Sequence, residues 1–258
     1  MKPNRRVAVI SGGSGGLGQV CAKRLAEEGC DIVVADLKPA HETVALVERA
    51  GRHAMAVEVD ITDPAQVSSL AEQVRTRFER CDILVNNAGM YSNVPIRELS
   101  YETWRRYMAL NLDAAFLLST AFIPAMMENR WGRIINMVSN SFFLAGPPGM
   151  VAYVTSKGGL IGLTRGLAND CGEHGITVNA VAPGPNPTAK LEEMFYAQAG
   201  TSERTAFDSF MTGIAQNQAI KRSASPQDVE GAVAFLAGED AAFVTGQTLV
   251  IDGGWARV

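Results

Sequence analysis

Tyr153 and Lys157 stand four residues apart in the segment Tyr153-Val154-Thr155-Ser156-Lys157, inside a strongly helical stretch. On a helix that spacing puts the phenol and the ammonium on one face. A phenol titrates near pH 10 in water, too high for an efficient base near neutrality. A neighbouring ammonium favours the phenolate and lowers that value, and a shift of two units corresponds to about 2.7 kcal/mol of differential stabilisation. The chemistry open to such a pair is proton transfer at a hydroxyl or carbonyl oxygen. A Tyr-x-x-x-Lys pair is common on helix surfaces, however, so a reagent for it to work beside must be found elsewhere in the chain.

The glycine-rich run Ser11-Gly12-Gly13-Ser14-Gly15-Gly16-Leu17-Gly18 offers one, because it follows an apolar strand and opens a helix. Glycine permits positive φ and close backbone approach to a phosphate, and the helix start adds unpaired N–H groups for a pyrophosphate. Two registers fit: Gly13, Gly15 and Gly18, or the wider Gly12, Gly16 and Gly18. Asp36 follows the second apolar run, Ile32-Val33-Val34-Ala35, close to the offset at which a carboxylate takes a ribose 2′-hydroxyl and repels a 2′-phosphate. The loop holds no Arg or Lys, and Lys38 is the nearby cation, so this pattern predicts NAD over NADP. The competing reading of Asp36 is a carboxylate that caps a turn.

These residues need a scaffold. Candidate strands are Val7–Ile10, Asp31–Ala35, Ala54–Val59, Ile83–Val85, Arg133–Met137, Thr177–Val181 and Leu249–Ile251, several of them apolar almost throughout. Candidate helices are Gly18–Glu28, Ala40–Ala50, Pro64–Arg80, Tyr101–Asn129, Ala152–Glu173 and Pro226–Gly238. Fully apolar strands alternating with helices predict an α/β, three-layer, doubly wound Rossmann fold with a mainly parallel seven-stranded sheet. No linker or repeat interrupts it, so residues 1–258 are expected to form one domain. The irregular stretch 183–219, rich in Met, Phe and Gln, is expected to form short helices covering a substrate.

The remaining composition narrows the function. A net charge of −4 without a basic stripe argues against nucleic acid. The apolar stretch 109–127 contains Asn111, Asp113 and Pro124 and reads as a buried helix, not a membrane span. Cys21, Cys30, Cys81 and Cys171 lie far apart, which fits a reduced cytoplasmic protein and neither a disulfide framework nor a metal site. His41, His53 and His174 are expected at the surface.

Taken together, the motifs resemble the classical short-chain dehydrogenase/reductase family over nearly the whole chain. The run Ser11-Gly12 to Gly16-Leu17-Gly18, including Ser14, resembles its cofactor loop in the wider register. Asp60-Ile61 is similar to the adenine-contacting pair, and Asn86-Asn87-Ala88-Gly89 to the signature after the fourth strand. Asn111 matches the helix asparagine of a proton-relay water, and Gly132 to Ser139 resembles the strand that ends in the catalytic serine. Pro183-Gly184 with Thr188 matches the segment that orients the nicotinamide, here with two extra prolines, Pro185 and Pro187.

The resemblance implies a division of labour. Tyr153 is the acid/base, Lys157 lowers its pKa and holds the nicotinamide ribose, Ser139 steadies the oxyanion, and Asn111 anchors the relay water. The loop from Ser139 to Tyr153 is one residue longer than usual, so Ser141 is the alternative oxyanion donor. Tyr91, Phe142, Phe143, Leu144, Met150, Met194, Phe195 and Tyr196 are candidate lining. They suggest a small apolar secondary alcohol or ketone, aryl or cyclic, with Ser139, Ser141, Phe143 and Tyr153 meeting it. A 3-oxoacyl-thioester reductase is the enzymatic alternative, and a non-catalytic NAD-binding sensor the other. A homotetramer or dimer is implied, joined through the helices around 109–125 and 152–168.

Overall fold

The computed structural model describes residues 6–257. Its strands are β1 (Val7–Ser11), β2 (Asp31–Asp36), β3 (Ala54–Glu58), β4 (Ile83–Asn86), β5 (Gly132–Met137), β6 (Ile176–Pro183) and β7 (Thr248–Ile251). They form one sheet in the order β3-β2-β1-β4-β5-β6-β7, with every pairing parallel. Parallel neighbours need crossovers, and helices supply them. These are α1 (Gly16–Glu27), α2 (His41–Arg49), α3 (Pro64–Phe78), α4 (Tyr101–Met108), α5 (Ala114–Asn129), α6 (Ser141–Leu144), α7 (Val151–Cys171), α8 (Ala189–Ala199), α9 (Arg204–Ala215) and α10 (Gln227–Ala237).

The period of two along each strand divides the core. Val7 and Val9 of β1 join Val33, Leu84, Ile134 and Val178 in a cluster closed by residues of α3 and α5, such as Leu70 and Leu118. Ala8 and Ile10 join Ile32, Val34, Val85 and Ile135 in a second cluster on the opposite face, closed by Leu25 of α1 and Leu236 of α10. This is the three-layer arrangement that apolar runs without alternation demand. β1, β4, β5 and β6 are buried throughout, whereas the edge strands β3 and β7 are only partly covered.

The helix expected over 101–129 is interrupted. Between α4 and α5, Ala109–Asp113 form a π turn, in which the N–H of Ala114 donates to the carbonyl of Ala109. The stretch is long and apolar enough to cross a membrane, yet Leu118, Phe122 and Met126 pack into the sheet core. The irregular stretch 183–219 contains α8 and α9.

The order in which strands are added reverses between β1, which begins the β1-β2-β3 half, and β4, which begins the other. In open α/β sheets ligands bind outside the carboxyl ends of the strands at that point. The carboxyl ends of β1, β4, β5 and β6 and the loops that follow them carry the glycine run, Asn87-Ala88-Gly89, Ser139 and Pro183-Gly184, respectively.

Candidate active site

The glycine loop is tied down from below. Asn87 Nδ2 donates to the carbonyls of Ser11 (3.0 Å) and Gly12 (2.9 Å), and the Ser11 hydroxyl accepts from the N–H groups of Asn87 and Ala88, both at 3.1 Å. The geometry selects the wider register. Gly16 has φ +55°, and a Cβ on Gly18 would lie 2.2 Å from the Gly12 carbonyl oxygen, so neither position admits a side chain. Gly15, by contrast, faces open space. It caps α1 without any side-chain hydrogen bond, leaving the first-turn N–H groups directed at that space. This is a cradle that fits a pyrophosphate. Asp36 closes one side, its carboxylate accepting from the N–H of Ser14 (3.0 Å) and of Lys38 (3.1 Å). Asp60 holds Thr62 through both its N–H (2.9 Å) and hydroxyl (2.7 Å), and Ile61 is buried in the core beside it.

At the far end of the cleft, α7 presents Tyr153. The phenol is pushed up to about 12, chiefly by desolvation, against the lowering effect of a hydrogen bond with Ser139. Tyr91 packs edge-on to it, with ring centroids 5.1 Å apart. Lys157 is buried, and desolvation pulls its ammonium down to about 8. It donates to the carbonyl of Met137 (2.8 Å), and its Nζ lies 5.7 Å from the centre of the Tyr153 ring. The expectation that Lys157 lowers the tyrosine value is therefore corrected for this state. Burial governs both groups and moves each toward its neutral form.

Asn111 sits in the π turn, buried, with Oδ1 accepting from the N–H of Met90 (2.8 Å). Its Nδ2 donates to the Met90 carbonyl (3.1 Å) and to Ser156 Oγ (3.0 Å). The Ser156 hydroxyl in turn donates to the carbonyl of Tyr153 (2.7 Å). Both ends of the Asn111 amide are thus engaged by protein, so this side chain braces the loop after β4 against α7. Ser156, which sequence reasoning passed over, is the link. A Cβ on Gly89 would stand 3.1 Å from Asn111 Oδ1 and 3.4 Å from Lys157 Nζ, which puts these three together.

Residues 12–256 match the family described as Enoyl-(Acyl carrier protein) reductase. The chain belongs to the short-chain dehydrogenase/reductase family. It is 34% identical over 253 residues to the 3-oxoacyl-(acyl-carrier-protein) reductase FabG of Escherichia coli, covering 98% of each chain. It is also 34% identical over 254 residues to the D-beta-hydroxybutyrate dehydrogenase of Rhizobium meliloti, covering 97% of this chain and 98% of that one. Among solved structures, NAD+-bound xylitol dehydrogenase superposes with a TM-score of 0.89 at 32% identity, over 98% of this chain and 100% of that one. The protein is thus a short-chain oxidoreductase acting between CH–OH and carbonyl groups with a nicotinamide cofactor.

The cleft of this dehydrogenase/reductase has a volume of about 590 Å³. No Asp, Glu, Lys, Arg or His is found among the described residues that line it. Tyr91, Leu144 and Met150 line it as expected, beside Ser139, Ser141 and Tyr153. Phe143 does not, and its assignment to substrate is corrected: it packs on the Leu160 and Ile161 side of α7. Phe142 lies over Gly158, where a Cβ would meet its ring at 2.7 Å. Phe195 and Tyr196 pack with Phe207, so α8 turns its aromatic rings onto α9, and Met194 is outside the lining too. Leu191, Phe210, Ile214 and Trp255 take their place. Of the loop after β6, Pro183, Gly184 and Thr188 border the cleft, and the Thr188 hydroxyl caps α8 by accepting from the N–H of Leu191 (3.3 Å).

The two serines differ. Ser139 is buried and bonds to Tyr153, while Ser141 begins α6 and donates its N–H to Ser139 Oγ (3.2 Å). Ser139→Ala is expected to lower kcat by roughly 10²–10³, the effect of losing one oxyanion donor, and Ser141→Ala by less than about threefold. Steady-state kinetics on both variants checks this. Equal, mild losses would remove both from the role.

Proposed function

We propose that this protein is an NAD-dependent dehydrogenase of small, neutral, apolar secondary alcohols, aryl or cyclic, and a reductase of the corresponding ketones. The observation that carries the reading is a cleft with no Asp, Glu, Lys, Arg or His among its described lining residues, bordered by Tyr153 and Ser139. A carboxylate or phosphate entering it would lose water without gaining a counter-ion, which costs several kcal/mol.

The bound nicotinamide supplies the hydride acceptor for oxidation and the donor for reduction. Gly12, Ser14, Gly16, Leu17 and Gly18 would hold the pyrophosphate end, Asp36 the ribose diol, Asp60 and Ile61 the adenine. Asn87, Ala88, Gly89, Pro183, Gly184 and Thr188 would border the remainder. In oxidation Tyr153 takes the hydroxyl proton of the alcohol, and Ser139 donates a hydrogen bond to the oxygen as its charge grows. Lys157 would hold the nicotinamide ribose, and Asn111 would anchor the proton relay beside it. The segment 183–219 covers the substrate. Residues 1–258 act as one domain.

The test follows the appearance of NADH across a panel of neutral aryl and cyclic secondary alcohols, set against 3-hydroxybutyrate and, in reverse, acetoacetyl thioesters. Neutral alcohols are expected to give the highest kcat/KM. Preference for the thioester would move the assignment to a 3-oxoacyl-thioester reductase, which the identity to FabG favours. Bound cofactor without turnover on any substrate would leave a non-catalytic sensor.

Asp36 supports NAD. Asp36→Asn is expected to raise KM for NAD by about 10- to 100-fold, the loss of a hydrogen bond to a charged group, and to relax discrimination against NADP. Because Asp36 also holds Ser14, the melting temperature is measured in parallel. A wild type that prefers NADP overturns the cofactor assignment.

Assembly as a homotetramer or dimer is supported by Phe116 of α5 and Val151 of α7, which are 49% and 45% exposed. Light scattering at micromolar concentration reads it directly. Cytoplasmic residence is supported by Cys21, Cys30, Cys81 and Cys171, all free thiols and all buried.

A further inference from the structure

Beyond β7 the chain turns back into the cleft. Gly253 (φ +68°) and Gly254 (φ +79°) wrap the backbone around the Asp252 carboxylate, which is 3% exposed. Its Oδ1 accepts from the N–H groups of Gly254 (3.0 Å) and Trp255 (3.1 Å), and its Oδ2 from the N–H of Ala256 (2.8 Å). Oδ2 also accepts from Asn140 Nδ2 at 3.0 Å. Asn140 lies between the two serines at the end of β5 and donates its own N–H to the Pro183 carbonyl (3.0 Å). A Cβ on Gly184 would stand 2.9 Å from that of Asp252, so the turn is also packed against the loop after β6. One buried carboxylate therefore fixes the C-terminal turn to both loops that border the reacting groups. The side chain that this turn delivers to the cleft is Trp255, half-buried, beside Phe210 and Ile214. No aromatic ring among the described residues packs on its indole.

We propose that Trp255 is a specificity-determining wall of the substrate cleft. It selects flat, ring-bearing neutral substrates by stacking, and the Asp252–Asn140 link holds it in register with Ser139. This rests on the reading of the cleft as the substrate site. An indole on a locked backbone loses little freedom when a ring packs on it, so the contact is recovered almost entirely as affinity. Asp252 and Asn140 are positioning residues that touch substrate only through Trp255 and Ser139.

The experiment measures equilibrium binding of a neutral aryl ketone to the protein saturated with oxidised NAD, a complex that cannot turn over, by calorimetry, with quenching of tryptophan fluorescence as a second readout. Trp255→Ala is expected to weaken binding by roughly tenfold and to abolish most of the quenching, with Trp255→Phe recovering most of the affinity. KM for an aryl alcohol rises in step, and the loss for 2-butanol is at least about fivefold smaller, since a small chain cannot stack. Asn140→Ala is expected to shift the emission of Trp255 and to reproduce part of the KM effect. Unchanged binding in Trp255→Ala, or equal losses for ring and chain substrates, overturns the proposal while the substrate site stands. A wild type that binds no neutral aryl ketone overturns both readings. Should Trp255→Ala fail to fold, Trp255→Leu is read by the same calorimetry: binding weakened roughly tenfold supports the stacking wall, and unchanged binding overturns it.

Discussion

Tyr153→Phe is expected to lower kcat/KM for alcohol oxidation by at least about 10³–10⁴, because it deletes the only group in the cleft proposed to carry the proton. The dissociation constant for NAD, read by calorimetry, is expected to change by less than about threefold. The ring, its edge contact with Tyr91 and the α7 backbone all survive the substitution. Loss of cofactor binding in step with activity would remove Tyr153 from the acid/base role. The pH profile offers an independent check. In the resting protein the phenol is held at about 12 and the ammonium at about 8. Oxidation requires the phenolate, so its rate should rise with pH. The limb is expected to follow the Tyr153 phenol, whose ionisation burial opposes. Tyr153→Phe should abolish that limb.

Lys157→Met is expected to be more stable than wild type at pH 7 and nearly inactive. The folded protein holds Lys157 at about 8, below the ordinary lysine value, so burying its charge costs about 3 kcal/mol at neutral pH. Removing it leaves the Met137 carbonyl without its donor, which returns about 1 kcal/mol. The net gain of about 2 kcal/mol corresponds to roughly 4–8 °C in Tm. The sign of the pH dependence follows from linkage. Between pH 8 and the ordinary lysine value the unfolded chain binds the extra proton, so wild-type stability rises with pH across that window. The variant should lack this rise. Above pH 10 the Tyr153 contribution runs the other way: the folded state keeps a proton that the unfolded state releases, and stability falls in both proteins. A variant no more stable than wild type at pH 7, measured by thermal denaturation, would show that the ammonium is better compensated than a single carbonyl allows.

The layered sheet was legible because β1, β4, β5 and β6 are covered on both faces and their residues are apolar without alternation. The glycine loop could be located from its residues, but only the family resemblance, and not the spacing, picked out the wider register. Geometrically that choice rests on the positive φ of Gly12 and Gly16 and on the open space at Gly15, which exist only once the turn is closed. Tyr153 and Lys157 announced themselves by helical spacing; their titration did not, since desolvation is set by everything packed around them. The π turn has no local signature, because an i→i+5 bond is imposed by the packing of α4 and α5 on their neighbours. Phe143 was misplaced for a related reason. An apolar loop residue satisfies the hydrophobic effect equally well in a core or a cleft, and α7 took it. Trp255 is more than 100 residues from both Ser139 and Tyr153 along the chain, and only the carboxylate turn at Asp252 brings it to them.

The π turn also limits how this chain can change in length. Each residue of a regular helix advances the facing direction by about 100°, so one residue added or lost re-aims every side chain beyond it. Excising Ala109 would convert 101–129 into an unbroken helix of ordinary pitch. Local propensity would favour this, yet Leu118, Phe122 and Met126 would swing off the sheet or Tyr107 and Met108 would swing off theirs. Insertions and deletions should therefore be tolerated between α8 and α9 and rejected around Asn111. The tolerance for length variation along this chain is graded by phase, not by solvent accessibility.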